Sequence, residues 1–199
     1  MKTYNFEDEE PVEILKNGGL IAFPTETVYG IGVRFDREDS FRRLIKVKNR
    51  PSNKPFTMMV GDRNLIKAYV SISEKQEKII DSFLPGRLTV VLKKKETVPS
   101  YVSLGGDTIG FRVPGSERLR NFLNRVGVPL LVPSANKSGL NPAKSILELE
   151  SQFNDELDGA IEGNIGDGIP STVVSLVDDK IKILRKGEIS EEELNECLK

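Results

Sequence analysis

The sequence predicts an α/β protein: a single domain built on a twisted, mixed β-sheet with flanking helices. Three observations carry this. Short apolar or β-branched runs such as LIAF, LTVVLK and TVVSLV alternate along the chain with amphipathic stretches of helical period. In VVSLVDDKIKIL, residues 173–184, two such runs stand too close for a crossover helix, so they form an antiparallel hairpin and the sheet is mixed rather than purely parallel. The 199 residues contain no fixed-period repeat, low-complexity tract or linker-like segment, which suits one shared core.

The elements follow in chain order. Residues 8–17 (DEEPVEILKN) read as a short helix with Pro11 in its first turn and Gly18-Gly19 as its stop. LIAF, 20–23, is a buried strand. From Asp39 to about Val47, Phe41, Leu44, Ile45 and Val47 fit one helical face, with Asp39 or Ser40 as the cap. FTMMV, 56–60, is the next strand. Residues 62–70 and 73–84 read as two helices, the second capped by Ser73 and stopped by Pro85-Gly86. LTVVLK, 88–93, is strand-like through its β-branched content. Further strands are expected at 108–113, 129–132, 160–162, 172–177 and 182–184, and helices at 116–126, 145–154 and 190–198.

Composition narrows the chemistry. Charged residues make up 30% and the formal net charge is -1, so any nucleic-acid role must rest on a local patch. The chain has no histidine, which removes Ser-His-Asp and Cys-His catalysis and histidine-ligated metals together. Its one cysteine, Cys197, lies in a helix-like tail and has no thiol partner. The N-terminal stretch lacks the apolar core of a signal peptide, and nowhere do eighteen apolar residues run together, so a cytoplasmic location is the expectation.

Three strand candidates end alike: LIAFPTET, IGFRVPGS and LLVPSANKSG. In each, proline stops strand pairing and small or hydroxylated residues follow. Either these are simple stop signals, or the three ends converge as a binding site on one rim of the sheet. The segment LIKVKNRPSNKP adds Lys46, Lys48, Arg50 and Lys54 with no acid among them. Cations favour a helix C-terminus, but Pro51 and Pro55 also stiffen the loop, which suits holding Lys48 and Arg50 against an anion such as a polyphosphate. Arg112 and Arg185 stand near strand ends, either as anion forks or as surface arginines on edge strands. GIPSTVV supplies Ser171 and Thr172 in a small-residue turn. Neither GxxxxGK[ST] nor GxGxxG is present, so a bound nucleotide would be met by cations and hydroxyls rather than by a glycine cradle.

Taken in order, GGLIAFPTETVYGIG, the K-x-R of KNRPSNKP, FLPGRLTVVL, DTIGFRVP, LLVPSANKSG, PSTVV and ILRKG resemble the YrdC family, the threonylcarbamoyl-AMP synthases, over about residues 18–187. The resemblance implies a twisted mixed sheet with a large concave basic cavity. It also implies an activity: L-threonine, bicarbonate and ATP give L-threonylcarbamoyladenylate and pyrophosphate, with Mg2+ on the triphosphate and no metal ligands from protein side chains. The product would pass to a tRNA-modifying threonylcarbamoyl transferase complex that acts on the adenine beside the anticodon, which leaves room for a weak tRNA contact. By motif, Lys48 and Arg50 stabilise charge; Arg50, Lys54, Thr108, Ser134, Asn136 and Arg185 meet ATP; Thr27, Arg112 and Ser171 form the threonine pocket. In the same turn Tyr29 packs, and Thr25 and Thr27 either face substrate or satisfy turn amides. Two positions depart from the pattern: Met59 stands where some members carry histidine, and Lys54 where others carry asparagine. The chain resembles the short, single-domain form of the family.

Two other classes compete. An RNA-binding module could use the same cavity, although 7% aromatic content offers few stacking platforms. A carbamoyl-transfer domain of the kind found in hydrogenase maturation would share the fold, but the chain lacks the accompanying acylphosphatase-like or zinc-finger segments.

Overall fold

The computed structural model describes residues 1–49 and 55–199. Its strands are β1 (Thr3–Tyr4), β2 (Ile21–Phe23), β3 (Gly30–Arg34), β4 (Thr57–Met59), β5 (Leu88–Lys93), β6 (Thr108–Arg112), β7 (Leu130–Leu131), β8 (Gly159–Ile161), β9 (Thr172–Ser175) and β10 (Lys182–Arg185). Its helices are α1 (Glu10–Lys16), α2 (Glu38–Lys48), α3 (Ile66–Tyr69), α4 (Glu74–Phe83), α5 (Glu117–Val126), α6 (Ile146–Phe153) and α7 (Glu191–Glu196). The strands form one mixed sheet in the order β1-β8-β2-β3-β7-β4-β6-β5-β9-β10. The predicted hairpin is β9–β10, antiparallel, with Ile183 opposite Val174.

Alternation along the strands decides what each sheet face carries. Met58 on β4, Leu88, Val90 and Leu92 on β5, and Ile109 and Phe111 on β6 join Phe41 and Leu44 of α2, Ile79 and Ile80 of α4, and Leu149 and Phe153 of α6 in the larger core. On the opposite face, Ile21, Phe23, Met59 and Leu130 pack beneath α1 and α5 through Val12, Leu15, Leu119 and Phe122. Phe122 meets Phe6 and Phe23 edge-on, with ring centroids 5.8 and 5.9 Å apart. Beyond Met59 and Val132 this second face turns polar, because TMM, LTVVLK and TIGFR place Thr57, Thr89 and Arg112 where a covering helix would need apolar partners.

Serines start four helices. The hydroxyls of Ser73, Ser116, Ser145 and Ser190 accept from backbone amides in the first turns, and Ser73 and Ser190 complete reciprocal capping boxes with Gln76 and Glu193.

The structure changes three expectations. α2 begins at Glu38 with Arg37 in the cap position, because Asp39 is taken by Arg37 at 2.9 Å and the Ser40 hydroxyl donates to Gly18 O at 2.7 Å. The helix expected over 62–70 divides into a 3-10 turn at Arg63–Leu65, capped by Asp62, and the short α3, after which Val70 is extended and bridges to Lys94. β3, unforeseen, returns antiparallel along β2. Its glycines serve packing: a Cβ on Gly30 would lie 2.6 Å from Val132 Cγ1, and one on Gly32 would lie 2.7 Å from Phe23 Cε1.

Candidate functional site

The uncovered part of the sheet face forms a cavity of about 480 Å³, walled by Thr27, Thr57, Met59, Thr89, Arg112, Ser134, Ser171 and Arg185 among others. All three similar strand ends reach it, through Thr27, Arg112 and Ser134, but the cavity lies over a face of the sheet and not along one rim. Strand direction is the reason. β2 and β7 are each antiparallel to β3 and so point the same way, whereas β6 is parallel to β4, which is antiparallel to β7. The end of β6 therefore points opposite to the other two, and Arg112 enters by its side chain from the strand face.

The turn between β2 and β3 forms one wall. The Thr25 hydroxyl donates to Val28 O at 2.6 Å and accepts from the amides of Thr27 and Val28, so Thr25 satisfies the turn. Its proton is thereby committed, and the 2.9 Å contact between the two threonine hydroxyls uses the proton of Thr27. Thr27 Oγ1 then accepts from Arg112 Nη1 at 3.3 Å. Tyr29 is buried, and its hydroxyl donates to Gly163 O at 2.9 Å.

A second wall is the loop after β7. Lys48 is 1% exposed, and its ammonium donates to the backbone carbonyls of Ser134 and Asn136. The lysine thus sits beneath the loop and does not line the cavity. Within the loop, Ser134 Oγ donates to Asn136 Oδ1 at 2.6 Å, and Asn136 Nδ2 donates to Lys137 O and Leu140 O.

The third wall joins β5, β9 and β10. Arg185 donates to Ser171 O from Nε at 3.1 Å and from Nη2 at 2.9 Å, and from Nη2 to Ser171 Oγ at 3.1 Å. Thr89 and Ser171 share a 3.0 Å hydroxyl contact. No carboxylate among the described residues pairs with Arg185. Although the residue keeps an exposed edge, the protein crowded around its guanidinium, and then the charge of Arg112, push its pKa below the usual arginine value. An anion bound between the two arginines would relieve that repulsion.

Arg112 itself is buried and paired with Glu26, Nη2 to Oε1 at 2.9 Å. Sequence reasoning passed over this glutamate, although an acid enclosed by Thr25 and Thr27 directly after a buried strand was the available signal. Thr108 shares the strand face of Arg112, two residues beyond Gly110, but is not part of the cavity wall; the register sets it level with Pro55, which is. Arg50 and Lys54 lie outside the described residues. Of the cations singled out in the sequence, Arg112 and Arg185 line the cavity, while Lys46 is exposed on α2.

The family model for Sua5/YciO/YrdC, described as "Telomere recombination", matches residues 13–187. A Methanocaldococcus jannaschii relative is 34% identical over 99% of this chain and 97% of its own length. A threonylcarbamoyl-AMP synthase of Pyrococcus abyssi is 32% identical over 92% of the chain, which spans 55% of that longer protein. The structure of P. abyssi Sua5 complexed with L-threonine superposes with a TM-score of 0.90 at 31% identity, covering 95% of this chain and 56% of that one. By its ordered motifs, its ten-stranded mixed sheet and these matches across nearly its whole length, the chain belongs to the Sua5/YciO/YrdC family.

Proposed function

We propose that this protein is an L-threonylcarbamoyladenylate synthase, a nucleotidyltransferase that converts L-threonine, bicarbonate and ATP to threonylcarbamoyl-AMP and pyrophosphate. The observation that carries this reading is the convergence of Arg112 and Arg185 on one hydroxyl-lined cavity, in a chain related to proteins that bear that enzyme name. A cavity of about 480 Å³ is of the size that small-molecule sites take.

The reaction asks little of side-chain nucleophiles. Threonine's amine adds to the carbon of carbon dioxide released from bicarbonate and loses a proton, giving a carbamate. A carbamate oxygen then attacks the α-phosphorus of ATP, the bond to the bridging oxygen breaks, and pyrophosphate leaves with the electron pair. Positioning and charge neutralisation supply the catalysis, which suits a protein without histidine. In this reading Arg112, Thr27 and Ser171 hold threonine, with the guanidinium on its carboxylate. Arg185, Ser134 and Asn136 hold the nucleotide, and Thr108, Arg50 and Lys54 are assigned to it by motif alone. Lys48 acts from below by fixing the Ser134–Asn136 loop. Magnesium is assigned to the triphosphate as part of the substrate.

The product, a reactive mixed anhydride, would be consumed by a tRNA-modifying threonylcarbamoyl transferase complex. The competing RNA-binding reading has little to stand on: Phe56, the aromatic residue of the described cavity wall, is buried in the core. No described helix is long and apolar enough to cross a membrane. The test is pyrophosphate release by the purified protein with ATP, magnesium and bicarbonate. Release is expected with L-threonine, weaker with L-serine and absent without amino acid; release independent of the amino acid would refute the assignment.

A further inference from the structure

Arg87 stands just ahead of β5, half-buried and outside the cavity wall, and it gathers three separate segments of chain. Its guanidinium meets Asp167 as a fork, Nη1 to Oδ2 at 2.7 Å and Nη2 to Oδ1 at 2.8 Å. Nη1 also donates to Glu188 Oε2 and Nη2 to the backbone carbonyl of Glu26, both at 2.6 Å. Its own carbonyl accepts from Thr172 N at 3.0 Å, which ties the arginine to the start of β9. Each of the three segments carries a cavity residue close to the clamp: Thr27 follows Glu26, Ser171 lies four residues after Asp167, and Arg185 three before Glu188.

These cavity residues do not depend on the clamp equally. Arg185 belongs to β10 and is set by its pairing with Val173 of β9. Thr27 and Ser171 lie outside the strands, in the β2–β3 turn and at the end of the loop between β8 and β9. That loop is drawn onto the turn at three points: the Tyr29 hydroxyl donates to Gly163 O at 2.9 Å, Gly166 N to Thr25 O at 3.2 Å, and Arg87 spans Glu26 O and Asp167. Gly166 permits the approach, since a Cβ there would lie 1.9 Å from Glu26 O. Beyond Asp167 the chain turns at Gly168, with φ +81°, and Gly168, Pro170 and Ser171 then wall the cavity. A planar guanidinium holds its acceptors at fixed angles, where a lysine ammonium is a point charge on a flexible stem. We propose that Arg87 is a positioning residue for the amino-acid pocket: from behind the wall it fixes the spacing of Thr27 and Ser171, and so the pocket's fit to threonine. This rests on the reading of Thr27, Arg112 and Ser171 as the threonine pocket.

The experiment compares the wild-type chain with Arg87→Met, Asp167→Asn and the double variant, well below their melting temperatures. Steady-state pyrophosphate release gives KM for L-threonine and kcat, and calorimetric titration with a non-hydrolysable ATP analogue gives nucleotide affinity. Arg87→Met is expected to raise KM for L-threonine by about tenfold or more, with kcat at saturating threonine and affinity for the analogue changed less than about threefold. Asp167→Asn removes the charge but keeps Oδ1 for the Ile169 amide, which donates to it at 2.9 Å; it should raise the same KM, and the double variant should be no worse than Arg87→Met alone. A folded Arg87→Met protein with the wild-type KM for threonine and only a lower melting temperature overturns the inference. So do additive effects of the two substitutions, or a fall in kcat that saturating threonine does not restore. If Arg87→Met does not fold, an unchanged threonine KM in Asp167→Asn overturns it alone. Absence of threonine-dependent release by the wild type overturns the pocket reading, and the inference with it.

Discussion

Replacement of Lys48 by methionine tests whether this lysine holds a loop or touches the ligand. The side chain is 1% exposed and its ammonium donates to the carbonyls of Ser134 and Asn136, the latter at 2.6 Å. Methionine keeps most of the volume and removes the donor. The Asn136 carbonyl, left without another partner among the described residues, costs about 1–3 kcal/mol, whereas the Ser134 carbonyl keeps the Asn136 amide at 3.1 Å. Relief of the ammonium's desolvation offsets part of that, leaving a net loss of about 1–2 kcal/mol. For a domain of this size each kcal/mol lowers the melting temperature by about 2–4 °C, so a fall of roughly 2–8 °C is expected. Thermal and urea denaturation followed by circular dichroism measure it, and nucleotide titration at a temperature where both proteins are folded reports on the loop. Affinity for the nucleotide should fall as well, because the loop carries Ser134 and Asn136. A Lys48→Met protein with an unchanged denaturation midpoint but lost nucleotide binding would refute the reasoning and place the ammonium on the ligand.

Other outcomes follow from single contacts. Arg185→Lys forfeits the fork on Ser171 O and Oγ; affinity for ATP should drop by about tenfold or more while the melting temperature hardly moves, as fluorescence titration and calorimetry would show. Gly166→Ala drives a Cβ into Glu26 O and should destabilise by about 3 kcal/mol or more, whereas Gly127→Ala, at φ +82° with open space around it, should cost only about 1 kcal/mol; urea midpoints compare the two. Burial raises the pKa of Asp158, but the Arg43 fork and the Leu20 amide outweigh it and hold the group below the usual carboxylate range. Because the folded-state value is depressed, its stabilisation is present above the unfolded value near pH 4 and is lost as the pH falls through the folded value. Asp158→Asn should therefore be less stable than the wild type at neutral pH, with the difference closing as the pH falls below about 4.

Much of the sheet is legible because its strands keep a strict two-residue period. TIGFR and LTVVLK put apolar residues on the larger core and Thr89 and Arg112 on the other face, and the same alternation marks where covering helices stop. β3 was hidden because glycine is read as a turn residue, whereas Gly30 and Gly32 are small to let Val132 and Phe23 approach the strand. The helix over 62–70 looked continuous because local propensity does not register that Val70 is drawn out to bridge Lys94. Arg112, Arg185, Thr27, Ser134 and Ser171 were found from cations and hydroxyls at strand ends. Glu26 was not, since its role depends on pairing with an arginine 86 residues away. The position of Lys48 beneath its loop depends on Ser134 and Asn136 in the same way.

The most direct measurement of the central claim is the fate of carbon-labelled bicarbonate. Incubated with the protein, ATP, magnesium and L-threonine, the label should appear in a product that also contains threonine and AMP, one label for each pyrophosphate released, and Arg112→Ala should abolish its formation while leaving ATP bound. Pyrophosphate released without label entering a nucleotide product, or label incorporated without threonine, would contradict the account.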